Sequence, residues 1–319
     1  MTTTEIAIIG LGGVGGYFGF KLAQTYEEDN KVDITFVART ATYEIVKQRG
    51  LTLISPEHLD SASRPKVLLH SVSELSKADL IIICVKEYDL ESVCRQLKEK
   101  VNENTVILPL MNGVNIYDRI RTVLPSSVIL PACVYVASHI KEKGTVEHKG
   151  KPGTIIFGND PKYSKYFPDS IIEILQKAAI QVQYLEDPFP EIWIKFIFIA
   201  SFGLVSARFD KSIGQVEEDP GLHRMTEEIM QEIVAIAENK GILLPADIIE
   251  VTFQKAFTFP YHTPTSLQLD VQSNKRNNEL ELFAGAILKY GEEMNLPTPM
   301  TREMDREIRK NLLYKVAAT

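Results

Sequence analysis

Gly10-Leu-Gly12-Gly-Val-Gly15 follows the apolar run Ile6-Ala-Ile-Ile9 and opens a helical pattern that runs from Tyr17 to Tyr26. Glycines at this spacing suit the holding of a diphosphate. The first permits a tight turn, the second lets backbone approach the anion, and the third lets the helix pack closely on the strand. The amides around Gly12, Gly13, Val14 and Gly15 then stand at a helix N-terminus, where the dipole favours negative charge. Between a strand and a helix the string predicts a dinucleotide site, whereas by itself it also fits an ordinary glycine-rich turn.

Three further residues bear on the same chemistry. An NAD-preferring site carries Asp or Glu at the end of its second strand, about 20 residues past the glycines, to accept from the ribose 2′-hydroxyl. Here Phe36-Val-Ala-Arg39 ends in a cation. A guanidinium binds a 2′-phosphate in a bidentate manner and a carboxylate repels it, so NADP (NADPH) is the expected cofactor. A solvated surface arginine is the competing reading. Asn112 ends the apolar run Val106–Leu110 beside Gly113, where the backbone can approach a ligand; a plain Asn-Gly turn has the same letters. Lys195 lies in Trp193-Ile-Lys-Phe-Ile-Phe-Ile-Ala, among apolar neighbours only. Hydride delivery to a ketone builds charge on oxygen, and a desolvated lysine is a suitable acid for it. The other reading is a lysine that snorkels from the first helical turn to solvent.

These residues need elements to hold them. Asp33–Val37, Leu80–Val85 and Val106–Leu110 are continuous apolar runs separated by helical stretches, the pattern of a parallel sheet covered on both faces. Short strands are expected between Val128 and Gly158, extending that sheet partly with antiparallel pairs. After Leu185 the pattern is helical, with amphipathic segments at 222–239, 245–257, 274–293 and 301–315. The expected architecture is α/β: a Rossmann-type, mostly parallel-sheet domain over 1–187 and an all-α domain over 188–319. The boundary falls at Asp187-Pro-Phe-Pro190, where two prolines interrupt regular structure.

With 319 residues, 45% of them hydrophobic, the chain can bury two cores. A net charge of −7 argues against a nucleic-acid partner. Cys84, Cys94 and Cys133 have no CxxC or Cys/His spacing, so no metal is expected, and free thiols suit a reducing cytoplasm. Ile6–Ile9 is too short for a secretion signal, and the apolar segment Phe196–Ala207 is shorter than a membrane span, so no membrane partner is expected. The long helices of the second half are candidates for a homodimer interface. Neither a GxSxG elbow nor a P-loop lysine is present.

The chain resembles the ketopantoate reductase (2-dehydropantoate 2-reductase) family over nearly its whole length. The resemblance rests on the glycine turn, Arg39, Val85-Lys86, Met111-Asn112-Gly113, Glu191-Ile-Trp193-Ile-Lys195, Ser266-Leu-Gln-Leu-Asp270, Asn278-Glu279-Leu280 with Gly285, and Leu296-Pro-Thr-Pro299. It implies NADPH-dependent reduction of 2-dehydropantoate to (R)-pantoate, a step towards pantothenate and coenzyme A. It also implies that Lys195 is the general acid and Glu279 the carboxylate that orients it. By the same resemblance Asn112 touches substrate and nicotinamide, Ser266 holds the substrate carboxylate, and Lys86 lies near the nicotinamide ribose. Without it Glu279 reads as an exposed first-turn glutamate, and Ser266 as the N-cap of a helix over Leu267–Val271.

Two positions depart from the family, which carries asparagine four and eight residues beyond the lysine. Here they are Ile199 and Gly203, with Ser201 as a partial substitute if the helix is rotated. Losing both amides should penalise a hydroxylated substrate by roughly a kcal/mol or more. A reductase of the same build acting on a less polar 2-oxo acid is therefore the nearest alternative. A dinucleotide-binding protein without turnover is another.

Overall fold

The structure, a computed structural model, describes residues 3–57, 61–275 and 277–317. It divides into two compact units, Met1–Pro188 and Phe189–Thr319.

The first unit is built on a six-stranded parallel sheet of β1 (Thr4–Ile9), β2 (Val32–Val37), β5 (Val67–Leu69), β6 (Leu80–Ile83), β7 (Val106–Pro109) and β8 (Val128–Ile129). Their order is β5-β2-β1-β6-β7-β8, which is the doubly wound arrangement whose strand order reverses at β1. Ile8 lies between Phe36 and Ile82 on one face and Ile9 between Val37 and Ile83 on the other, all buried, so apolar side chains fill both faces of the sheet. Helices α1 (Gly13–Thr25), α2 (Thr40–Arg49), α3 (Glu87–Leu97) and α4 (Ile116–Val123) follow β1, β2, β6 and β7. Helix α5 (Asp169–Lys177) precedes the last strand of the unit, β13 (Gln181–Leu185).

The strands expected to extend this sheet do so only through β8. The others form two separate sheets. One has the order β10 (Ser138–Glu142), β11 (Thr145–His148), β3 (Leu51–Ile54), β4 (Ser61–Ser63), and the other β13, β12 (Thr154–Gly158), β9 (Ala132–Tyr135). Both include the antiparallel pairs that were expected. The four-stranded sheet serves α1, which packs on β10, β11, β3 and β4 as well as on β1 and β2. Its residues Gly15–Ala23 are all buried, and a helix apolar all round needs cover on every side.

That burial includes Lys21, whose side chain is 2% exposed. A buried ammonium needs a partner, and Glu57 supplies it at 2.7 Å. The Tyr17 hydroxyl donates to the other Glu57 oxygen at 2.7 Å and accepts from the Gly153 amide at 3.0 Å. His148 Nε2 donates to the Lys151 carbonyl at 2.9 Å, and Nδ1 lies 2.9 Å from Ser55 Oγ. Burial opposes ionisation of Glu57, but the bonds from Lys21 and Tyr17 outweigh it and hold the carboxyl below its usual range. Glu57→Gln would leave Lys21 buried without its counter-charge, a loss of about 2–3 kcal/mol because Glu57 itself keeps some contact with water. In a unit of this size that lowers Tm by about 5–10 °C. The folded carboxyl titrates below its unfolded value of about 4.3. The stabilisation is therefore complete above that pH and is lost as pH falls through the lowered folded value. Denaturant midpoints of the two proteins should differ at pH 7 and converge in acid; a constant gap would exclude this origin.

The second unit is helical: α6 (Phe189–Phe209), α7 (Ile213–Glu218), α8 (Pro220–Asn239), α9 (Ile248–Ala256), α10 (Ser266–Gln272), α11 (Ala286–Met294) and α12 (Pro299–Ala317). The single segment expected at 274–293 is instead a turn, then a π-helical stretch Glu281–Gly285 that runs into α11. Helix α6 is longer than the apolar core of its sequence suggests, and by length and composition it passes for a membrane span. The length argument against a span fails, but 72% of its most apolar 18-residue window is buried inside the protein. It packs against α7, α8, α9, α10, α12 and the π-helical stretch, as the core of its unit.

Candidate functional site

A cleft of about 550 Å³ opens at the carboxyl edge of the parallel sheet. Its lining comes from the ends of β1 (Ile9, Gly10), β2 (Val37, Ala38, Arg39) and β6 (Cys84, Val85, Lys86), with His70 and Ser71 after β5. This is the position where a doubly wound sheet receives ligands. Of the residues expected at the cofactor, the cleft brings together Gly10, Gly12, Arg39 and Lys86.

The glycines divide the work as the string implies. Gly10 has φ +92°, and a Cβ there would lie 2.9 Å from the Cys84 carbonyl oxygen. A Cβ on Gly15 would lie 2.0 Å from the Gly10 carbonyl oxygen and 2.7 Å from Cys84 Cβ, so only glycine lets α1 sit this close to β1 and β6. Gly13 is similarly closed, 2.5 Å from the Ser138 carbonyl oxygen, whereas a Cβ on Gly12 would meet nothing within 4 Å. Gly12 is also the N-cap of α1; no side chain caps that end, and no acid occupies its first turn. An uncapped helix start with open space at its N-cap and the cations Arg39, Lys86 and Lys143 in the same cleft fits a diphosphate. Val14 lies in that first turn.

Arg39 follows β2 and is exposed, but its guanidinium is engaged. Nη2 donates to Asp89 Oδ2 at 2.6 Å and Nη1 to Oδ1 at 3.3 Å. Asp89 comes from the first turn of α3. No local sequence pattern marks it, and only the strand order, with β6 beside β1, brings the loop after β6 towards the one after β2. Lys86 is the exposed N-cap of α3. Asn112 is half-buried, past the end of β7 and beside Gly113 at φ +111°.

In the second unit Lys195 is half-buried in the second turn of α6, with Trp193 and Phe196 buried beside it. Glu279 is 5% exposed, which removes the reading of a solvated first-turn glutamate. Its carbonyl accepts from the Phe283 amide at 3.2 Å, an α-type bond just ahead of the π-helical stretch. Thr265, not Ser266, caps α10: its hydroxyl accepts from the Gln268 amide in a capping box, and Ser266 is exposed in the first turn. The reading of Ser266 as the N-cap is thus corrected. Ile199 is half-buried one turn beyond Lys195. Gly203, a further turn along, is buried, and a Cβ there would stand 3.4 Å from the Phe283 ring and 4.0 Å from Leu267 Cβ. Ser201 is fully buried, and its hydroxyl donates to the Ile197 carbonyl at 2.6 Å, so it does not stand in for a missing amide.

The strand order and the glycine-lined cleft at its reversal define a Rossmann-type dinucleotide-binding protein with a helical second unit. Residues 6–162 match the family described as ketopantoate reductase PanE/ApbA, and residues 189–310 match its C-terminal domain. The chain belongs to the ketopantoate reductase family, nicotinamide-dinucleotide-dependent oxidoreductases with small-molecule substrates. It is 24% identical to an uncharacterised oxidoreductase, YkpB, of Bacillus subtilis, over 93% of this chain and 95% of the relative. A 2-dehydropantoate 2-reductase of Streptococcus pyogenes is also 24% identical, over 93% of this chain and 94% of that one. A solved PanE/ApbA family ketopantoate reductase from Ralstonia eutropha superposes with TM-score 0.86 at 24% identity, covering 97% of this chain and 98% of the other. A D-mandelate dehydrogenase solved with NADH and anilino(oxo)acetate reaches 0.83 at 21%, covering 97% and 98%. At such identities the structural likenesses speak for the fold alone.

Proposed function

We propose that this protein uses NADPH to reduce 2-dehydropantoate to (R)-pantoate, a step towards pantothenate and coenzyme A. The observation that carries the reading is a guanidinium, Arg39, on the same cleft as Gly10 and Gly12, where a NAD-preferring site would hold an acid. The amides from Gly12 to Gly15 hold the diphosphate and Arg39 the 2′-phosphate, with Lys86 nearer the nicotinamide ribose. When bound, the reduced nicotinamide supplies the hydride. Lys195 gives its proton to the ketone oxygen as charge develops there. Glu279 is buried, and a buried carboxylate persists only beside a cation or donors, which suits a residue that orients the lysine. Asn112 positions the reacting carbonyl, and exposed Ser266 binds the substrate carboxylate. The three cysteines are free thiols, as suits a cytoplasmic enzyme.

A second reading, a less polar 2-oxo acid, is favoured by one specific feature. The face of α6 beyond Lys195 offers Ile199 and then a glycine covered by Phe283, and no amide. Steady-state assays with ketopantoate and 2-oxoisovalerate decide between the two, because these substrates differ by one hydroxymethyl group. Under the first reading kcat/KM for ketopantoate exceeds that for 2-oxoisovalerate by about tenfold or more. Equal values establish the second reading, and NADPH binding without oxidation by either acid would leave a non-catalytic binder.

A further inference from the structure

The end of the second strand carries a cation, yet the cleft does not lack an acid. Among the described residues that line it, Asp89 is the single carboxylate. It takes both Nη atoms of Arg39, at 2.6 and 3.3 Å, in the two-pronged geometry that a guanidinium offers a carboxylate or a phosphate. Because β1 lies between β2 and β6, a residue following β2 and another following β6 meet across the end of β1. A ribose hydroxyl or phosphate held by Arg39 therefore encounters Asp89 as well.

We propose that Asp89 sets the balance between the two nicotinamide cofactors: it competes with an adenosine 2′-phosphate for Arg39, and it accepts from the 2′-hydroxyl when that phosphate is absent. The inference rests on Arg39 as the 2′-phosphate residue. A phosphate carries up to two negative charges and cannot share one guanidinium edge with a carboxylate 2.6 Å away, so Asp89 must yield. The arginine is two-thirds exposed, and an exposed pair of this kind is weak, so displacement lowers affinity only a few-fold. With a 2′-hydroxyl the pair stays intact and Asp89 has a lone pair to offer, the service that an acid at the end of the second strand performs in NAD sites. The chain thus holds both devices, the basic one just after β2 and the acidic one on α3.

The test is equilibrium titration of the full-length protein with NADPH, NADH, adenosine 2′,5′-bisphosphate and adenosine 5′-phosphate. The proteins are wild type, Asp89→Asn, Asp89→Glu, Arg39→Ala and the double variant Arg39→Ala/Asp89→Asn. Asp89→Asn should tighten NADPH and the 2′,5′-bisphosphate about two- to fivefold and weaken NADH about two- to fivefold. Asp89→Glu should stay near wild type. In the Arg39→Ala background the gain in NADPH affinity should largely vanish, because the contested guanidinium is gone. Melting temperatures within about 2 °C of wild type would show that the fold is kept, as expected for an exposed pair. An NADPH-to-NADH ratio in Asp89→Asn within twofold of wild type overturns the proposal. If Arg39→Ala leaves binding of NADPH and the 2′,5′-bisphosphate unchanged, it is the reading of Arg39 itself that fails.

Discussion

Lys195→Ala is expected to lower kcat by about 10²- to 10⁴-fold, the range for loss of a positioned general acid, while the Kd for NADPH stays within twofold of wild type. The two expectations come from different parts of the chain. The cleft assigned to the dinucleotide is lined by residues between Ile9 and Lys143, all in the first unit. Lys195 belongs to α6 in the second, half-buried between turns whose other side chains are largely buried. Truncating it removes an ammonium and a flexible stem but creates little cavity, so Tm should move by no more than about 2–4 °C. Lys195→Arg separates charge from acidity. A guanidinium keeps the positive charge but does not release its proton near neutral pH, so this variant should be nearly as slow as the alanine. Full activity in the arginine variant would make Lys195 an electrostatic clamp. Turnover within tenfold of wild type in the alanine variant would remove it from the chemistry altogether.

What the sequence made legible follows from how locally each feature is encoded. The glycine bend, β1, β2, β6 and β7 were readable because strands buried on both faces are continuous apolar runs, and glycines between strand and helix have few other uses. Strands such as Ser61–Ser63 and Ser138–Glu142 carry no such mark. They are short and polar or exposed, and they exist because a partner lies alongside. The parallel pairing of β11 with β3 joins segments far apart in the chain, and no local pattern announces it. It arises from the need of α1 for cover on its second side. The site shows the same division. Arg39 and Asn112 were readable as strand ends, and Lys195 as a lone charge in an apolar helix. Asp89 was not, because its meaning depends on β6 lying next to β1. Burial of Glu279 was equally hidden, since the residues just before it are polar and nothing in the local pattern encloses it.

Gly15→Ala and Gly12→Ala add the same methyl group three residues apart and should have opposite consequences for the fold. At Gly15 the new carbon would lie 2.0 Å from the Gly10 carbonyl oxygen and 2.7 Å from Cys84 Cβ. The first of these is backbone, so no rotamer change relieves the clash. Either α1 moves off β1 and β6, which its four-stranded cover on the far side resists, or the bend at Gly10 opens. Both routes displace the amides at the start of α1. A core held from both sides accommodates an extra group at a cost of about 3 kcal/mol or more, which in a unit of this size lowers Tm by about 6–12 °C. NADPH affinity should fall by about 100-fold or more, because the amides then no longer converge on the diphosphate. At Gly12 the methyl group meets no protein atom within 4 Å, and φ −78° with ψ −161° is open to alanine. Gly12→Ala should therefore keep its Tm within about 2–3 °C of wild type while losing affinity about tenfold, since the added carbon occupies the approach of the ligand. Thermal unfolding and NADPH titration of the two variants together check the division of labour. An alanine at Gly15 that binds NADPH normally would mean that the helix start does not hold the diphosphate. Normal binding by Gly12→Ala would place the ligand away from the open side of the bend.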